Sequence, residues 1–77
     1  MKFVKVAINT IASELEADMN KFLADAPESC KLKDIKFSSH YDTSEDIDTF
    51  TAILIFEYND RFLDEDEKDA IEKFKKL

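Results

Sequence analysis

Three polar side chains at two-residue spacing, Lys36, Ser38 and His40, form the pattern in this sequence that is best suited to binding chemistry. Residues two apart on a β-strand share a face, so the three would line one side of a strand as a polar, partly cationic stripe. Together with Tyr41 and Arg61 they make a candidate binding site for a small anionic ligand. Single histidines are often bystanders, and the alternative that His40 merely ends a strand stays open.

Catalysis within one chain is disfavoured by what the sequence lacks. His40 is the only histidine, so a Ser-His-Asp triad or a histidine-rich metal site would need a second chain. Glycine is absent, which removes the P-loop, the dinucleotide fingerprint, the EF-hand turn and the nucleophile elbow. The acids at 42–48 and 64–67 lack the ordered spacing of a calcium loop. We therefore predict no enzyme activity, no catalytic or metal-binding residues, and no cofactor.

The single cysteine, Cys30, bears on the compartment. One cysteine cannot form an internal disulfide, and residues 1–8 lack the apolar run of a secretory signal. The neighbouring Lys31 could lower the pKa of the thiol, but without a nearby base an inert loop thiol is the simpler interpretation. No apolar stretch approaches the roughly 20 residues of a membrane span. We expect a cytoplasmic protein with no membrane partner.

The elements that would hold the polar stripe follow from the spacing of the apolar residues. Alternation over residues 3–8 predicts a first strand. One side of that strand carries Val4, Val6 and Ile8. Apolar residues three and four apart then predict a helix that ends near Asp25, where Ala26-Pro27 stops it. Asn9 or Thr10 would cap the start of this helix.

A hairpin should follow the helix. Residues 32–41 alternate as a second strand that carries the polar stripe on one face, and the turn formers at 42–46 predict a loop. Residues 49–58 are apolar on both faces, which predicts a strand at the centre of the sheet. Its two faces carry Ile53 and Ile55 on one side and Phe50, Ala52, Leu54, Phe56 and Tyr58 on the other.

A second helix is predicted from about Asp64. Acids fill its first turn and lysines its last turn, as the helix macrodipole favours, and Asp64 with Glu67 has capping-box spacing. The order β-α-β-β-α predicts a single α+β domain over residues 1–77, with a three-stranded, largely antiparallel sheet and two helices. If the first helix covers one sheet face, the aromatic face must meet the last helix or another copy of the chain.

Size and charge constrain the partners. A chain of 77 residues buries only about 60 to 65% of its unfolded surface, so its core is thin and a homo-oligomer is expected. The net charge of -7 lacks the basic surplus that drives binding to nucleic acid or anionic membranes. A local cluster could still override the net charge for a small anion. Its members would be Lys31, Lys33, Lys36 and Arg61.

The run Asp34-Ile35-Lys36-Phe37-Ser38, followed after an acidic hairpin by Phe50 to Glu57, resembles the small Cse-type sporulation protein family of Bacillus-like bacteria. The helix segment Met19 to Leu23 is also similar, and the resemblance covers about residues 2–57. It implies no catalytic residues, and similar short proteins occur in phages and mobile elements. The chain departs from the pattern in its long acidic hairpin and its second helix.

Three functions remain open at this point. The leading one is a non-enzymatic, homo-oligomeric binding protein that holds a small ligand or a bacterial protein target at the subunit boundary. In a phage, the ligand could be a nucleotide signal sequestered against host defence. The alternatives are an acidic nucleic-acid mimic that inhibits a basic nucleic-acid-binding protein, and a sporulation-associated structural or regulatory module.

Overall fold

A central strand organises the fold. The computed structural model describes residues 1–77. Its elements are, in chain order, β1 (Lys2–Asn9), α1 (Ala12–Asp25), β2 (Lys31–Asp42), β3 (Ile47–Glu57), a 3₁₀ turn (Asp60–Phe62) and α2 (Glu65–Lys75). β3 pairs antiparallel with β1 on one side and with β2 on the other, so the sheet order is β1-β3-β2. The predicted α+β class, the order β-α-β-β-α and the central position of β3 are confirmed.

The core lies on one face of β3. Ala52, Leu54 and Phe56 alternate on this strand and are fully or almost fully buried. Ile71 and Phe74 of α2 are buried with them in the same cluster. Alternate strand residues share a face, so one side of β3 is committed to the helices.

Aromatic rings fix both helices on that face. Phe74 of α2 lies edge-on to Phe56 of β3 with 5.3 Å between ring centroids, and to Phe3 of β1 with 5.8 Å. Its ring also meets Phe22 of α1 edge-on at 6.5 Å. Edge-to-face pairs add about 0.5–1.5 kcal/mol each beyond the area they bury. The aromatic face therefore meets the last helix, but the first helix packs on this face too, so the condition that α1 covers the other face of the sheet is not met.

The two helices start differently. Asp64 caps α2, because its carboxylate accepts the backbone N–H of Glu67 at 2.8 Å, which confirms the predicted cap. The predicted cap of α1 by Asn9 or Thr10 is wrong, since Ile11 occupies the capping position without a side-chain hydrogen bond. The Asn9 side chain instead accepts the N–H of Ile11 at 3.0 Å. This local turn uses the capping oxygen before the helix begins. Neither helix is long and apolar enough to cross a membrane.

The β2–β3 hairpin extends beyond the rest of the sheet. β1 ends where Asn9 pairs with Phe50, so residues 40–42 and 47–49 continue as a two-stranded arm. The turn occupies residues 43–46, and β3 begins two residues earlier than predicted. The arm gives the molecule a slender outline of 49 × 17 × 16 Å.

Candidate functional site

The sheet face opposite the helices is aliphatic and uncovered. Val4 of β1 pairs with Ile55 of β3, and Val6 pairs with Ile53. Ile8 is the next residue of β1 on the same face. Val6 is 47% exposed and Ile8 is 61% exposed, while the two isoleucines of β3 are half-buried by their strand neighbours. These five side chains are termed the open face.

The open face is costly to leave in water. Burying one valine or isoleucine side chain fully is worth about 1.5–3 kcal/mol, and the exposed members gain only part of that in a single copy. Single exposed apolar residues are normal on a protein surface, whereas a contiguous set marks an interaction site. The open face is contiguous, because its members are paired across two adjacent strands. It is therefore the surface feature of this fold best suited to contact another molecule.

The polar stripe runs along one edge of the open face. Lys36 pairs with Ile53, and His40 pairs with Thr49 at the start of the hairpin arm. Ser38 lies between them, opposite Thr51. All three face the same side as the open face, because directly paired residues on neighbouring strands share a face. The stripe and the open face thus form one continuous surface.

Two residues of the predicted site do not join the stripe. Tyr41 lies on the helix side of the sheet, because strand alternation turns it away from His40, and its hydroxyl donates to the Asp46 carboxylate. Arg61 lies in the 3₁₀ turn after β3, beyond the end of the sheet that is remote from the hairpin arm. A single copy therefore assembles only Lys36, Ser38 and His40.

The predicted cation cluster is likewise spread out. Lys31 pairs with Glu57 at the start of β2, and Lys33 lies in a bulge between Leu32 and Asp34. Lys36 is two rows of the sheet away from Lys31, and Arg61 lies outside the sheet. These cations do not converge on one point in a single copy.

The surface around the stripe is not concave. Four depressions on the molecule include none of the predicted site residues. The largest, about 610 Å³, lies between the loop after α1 and the start of α2, and four acids line it. Small-molecule sites are usually enclosed clefts, so a second surface would have to complete any such site at the stripe.

Charge on the open side of the sheet is balanced. Strand alternation places six charged residues there, three basic and three acidic: Lys2, Lys31, Lys36, Asp34, Asp42 and Glu57. The whole chain carries -7, so its negative surplus lies on the rest of the surface. Lys2 and Glu57 form a long ion pair at 3.9 Å. The open side is thus a neutral surface on an acidic protein.

A buried lysine is the residue that the sequence analysis missed. Lys5 is only 5% exposed, and its Nζ donates to the main-chain oxygens of Phe74, Lys75 and Leu77 at 2.7–3.2 Å. It also lies over the Phe22 and Phe74 rings at 5.2 and 5.5 Å. The available signal was its position in the sequence, between Phe3 and Ala7 on the core side of β1.

Cys30 is buried beside the core. Burial raises the pKa of its thiol above the ordinary value, and the nearby positive charge of Lys75 only partly opposes this effect. Both burial and the raised pKa disfavour the reactive thiolate. No group of three or more His, Cys, Asp or Glu side chains is arranged to hold a metal ion.

Comparison of the chain with protein-family models, with curated proteins and with solved structures gives no match in any of the three.

Proposed function

We propose that this protein is a non-enzymatic binding protein that acts as a homo-oligomer, with the open face as the surface through which copies associate. The observation that carries the proposal is an aliphatic sheet face that both helices leave uncovered. A small domain gains the most from such a contact, because its own core is thin. The single buried cysteine is compatible with the reducing cytoplasm proposed as its location.

The polar stripe gives the proposal its binding role. It borders the open face, so in an oligomer Ser38 and His40 would lie at the rim of the contact. A small ligand or a protein partner bound there would touch two copies at once. This arrangement would provide the second wall that a single flat sheet lacks.

Native mass spectrometry of protein purified gently from bacterial lysate tests this proposal. We expect an oligomer, and a stoichiometric extra mass if the ligand is small. His40→Ala should lower the occupancy of that mass without changing the subunit number. Ser39→Ala, on the opposite face of the same strand, is the matched control and should leave both unchanged. A monomer with no added mass and no protein partner in the lysate would contradict the proposal.

A second candidate, an acidic mimic of nucleic acid, is favoured by where the negative charge lies. The hairpin turn and the first turn of α2 are rich in acids, and they belong to a slender molecule 49 Å long. Such a surface could occupy the basic groove of a nucleic-acid-binding protein. The affinity for that partner should fall steeply with salt, since surface charge contacts are screened. Equal affinity at low and high salt would contradict this candidate.

The biological setting also stays a proposal. The resemblance to sporulation proteins suggests a structural or regulatory module, and the occurrence of similar proteins in phages suggests an anti-defence role. Gene neighbourhood distinguishes the two settings, because sporulation genes or defence genes beside the coding sequence would favour one over the other.

A further inference from the structure

We propose that two copies pack their open faces together about a twofold axis that crosses the strands between Val4 and Val6, with Asp34 of each copy on Lys36 of the other. This inference rests on the proposed function and names a second copy of the chain as the partner. It follows from three observations: the register of the sheet, the absence of partners for these two charges, and the charge balance of the open side.

The register arranges the open side in rows that cross all three strands. One row consists of Val4, Ile55 and Asp34. The next row consists of Val6, Ile53 and Lys36. Each row runs from an aliphatic edge on β1 to a charge on β2, and the two charges are opposite in sign.

Consider a twofold axis that lies in the contact plane, perpendicular to the strands and midway between these two rows. Rotation about this axis places the Val4 row of one copy over the Val6 row of the other copy. Stacked sheets lie about 10 Å apart, a separation that side chains from both faces fill. The facing pairs are Val4 with Val6, Ile55 with Ile53, and Asp34 with Lys36. Each pair occurs twice, because a twofold contact is self-complementary.

Neighbouring arrangements are worse. An axis through the Val6 row would set Lys36 against Lys36, and an axis through the Val4 row would set Asp34 against Asp34. An axis parallel to the strands would place β1 over β2, so that valines would face charged side chains. Opposed like charges and unpaired buried charges both penalise a contact. For the two central rows, the axis between them avoids both penalties.

The two charges are available for this contact. The ion pairs within the chain are Lys2–Glu57 and Lys75–Glu72, so neither Asp34 nor Lys36 has an internal partner of opposite charge. One carboxylate oxygen of Asp34 accepts the backbone N–H of Ile35 at 2.9 Å, which leaves its other oxygen free. Both side chains are exposed.

The distribution of charge also favours self-association through the open side of the sheet. Two copies with a charge of -7 each repel one another through their acidic surfaces. The open side carries three lysines and three acids, so this repulsion is weakest there. An acidic protein can therefore meet a second copy through this side of the sheet.

The same axis brings a cation to the polar stripe. The row that begins with Lys2 and ends with Lys31 comes to face the row that contains Ile8 and Ser38. Lys31 of one copy therefore approaches Ser38 of the other, next to His40. An anionic group near Ser38 would contact a lysine that lies three rows away from Ser38 within a single copy.

The area of the proposed contact indicates how tightly two copies should bind. Three strands about 4.8 Å apart, with eight residues at about 3.4 Å each, give a flat footprint of about 400 Å² per copy. Specific interfaces of standard size bury about 800 Å² of accessible surface per partner. The contact is thus at the small end, and we expect a concentration-dependent monomer–dimer equilibrium rather than a permanent dimer.

A charge-swap cycle tests the arrangement. Sedimentation equilibrium from about 1 µM to 1 mM spans the relevant dissociation constants. Asp34→Lys and Lys36→Asp each oppose like charges in both facing pairs on the β2 edge, and each should weaken association about tenfold or more. The double variant D34K/K36D restores opposite charges and should return to within about threefold of the wild-type protein.

Lys33→Asp is the matched control. It makes the same change in net charge as Lys36→Asp at an exposed neighbour in the bulge, and it should alter association less than about threefold. If the wild-type protein associates and the double variant stays as weak as the single variants, this axis is wrong although the homo-oligomer proposal survives. A wild-type protein that is monomeric at every concentration overturns both.

Discussion

Lys5 of β1 is hydrogen-bonded to the C-terminal end of α2. A lysine in the middle of a core-facing strand is unusual, because burying its charge costs free energy unless partners replace water. Here three main-chain oxygens near the end of α2 supply those partners, together with two aromatic rings. The lysine thus takes the role that cations commonly have at the C-terminus of a helix, but it reaches there from a distant strand.

Replacing Lys5 should destabilise the fold. Lys5→Met keeps the length of the side chain but leaves those oxygens without their buried donor, so we expect a loss of about 1–3 kcal/mol in the free energy of unfolding. Urea denaturation followed by circular dichroism measures the loss. Lys2→Met is the control, because its exposed ion pair at 3.9 Å should contribute less than about 1 kcal/mol. Equal stability of the Lys5 variant and the wild-type protein would refute this role.

Asp42 makes the hairpin turn sensitive to pH. Hydrogen bonds from the Ser44 side chain and backbone hold the pKa of Asp42 below its ordinary value of 3.8. A carboxyl group with a lowered folded pKa stabilises the fold above its unfolded pKa and loses that effect as pH falls through its folded pKa. We therefore expect the turn to be intact above pH 3.8 and to loosen below it.

Ser44→Ala tests the cause of this shift. Without the hydroxyl donor, the pKa of Asp42 should move back towards 3.8, as measured by NMR titration of its carboxyl carbon. Ser39→Ala removes a hydroxyl from the same hairpin without touching Asp42 and should leave the midpoint unchanged. An unchanged midpoint in the Ser44 variant would show that this hydroxyl is not the cause.

Among the elements, α2 shows how its cap and its charges act separately. Asp64 accepts a backbone N–H that the helix itself cannot satisfy, whereas Asp66 interacts with the macrodipole only. Asp64→Ala should therefore lower the free energy of unfolding by about 0.5–2 kcal/mol. Asp66→Ala should cost less than about 1 kcal/mol. Chemical denaturation of both variants checks this order, and a larger loss for Asp66→Ala would contradict it.

The positions of the strands were easier to predict from the sequence than the face of the sheet that the helices cover. β3 is apolar on both faces, and a strand of that kind belongs in the centre of a sheet, where the structure has it. The side of β1 that would be buried could not be decided, because Lys5 makes the core side look polar while Val4 and Val6 make the open side look buried. Only the oxygens at the end of α2, which are remote in sequence, resolve this choice.

The candidate site was predictable only in part, for the same reason. Two-residue spacing is enough to place Lys36, Ser38 and His40 on one face. The same alternation excludes Tyr41 from that face, and Arg61 could not be placed without knowing where the chain turns after β3. A local pattern fixes neighbours on one strand, whereas a site built from several elements depends on tertiary structure.

At the scale of the whole molecule, the two sides of the sheet differ in composition and packing. The helix side uses aromatic packing to hold the fold together, and the open side presents aliphatic residues with balanced charge. The negative surplus of the chain lies on the remaining surface, where like charge disfavours contact between copies. We therefore propose that this protein works through the open face.

Sedimentation equilibrium of Val6→Lys tests this central claim most directly. Val6 is already exposed in a single copy, so a lysine there should leave the fold intact, and it reduces the repulsion between copies. Phe37→Lys is the matched control, since Phe37 is a 65% exposed apolar strand residue on the opposite side of the sheet. We predict that the wild-type protein and the Phe37 variant associate reversibly and that the Val6 variant sediments as a monomer with an unchanged circular dichroism spectrum. Association of the Val6 variant as strong as that of the wild-type protein would contradict the account.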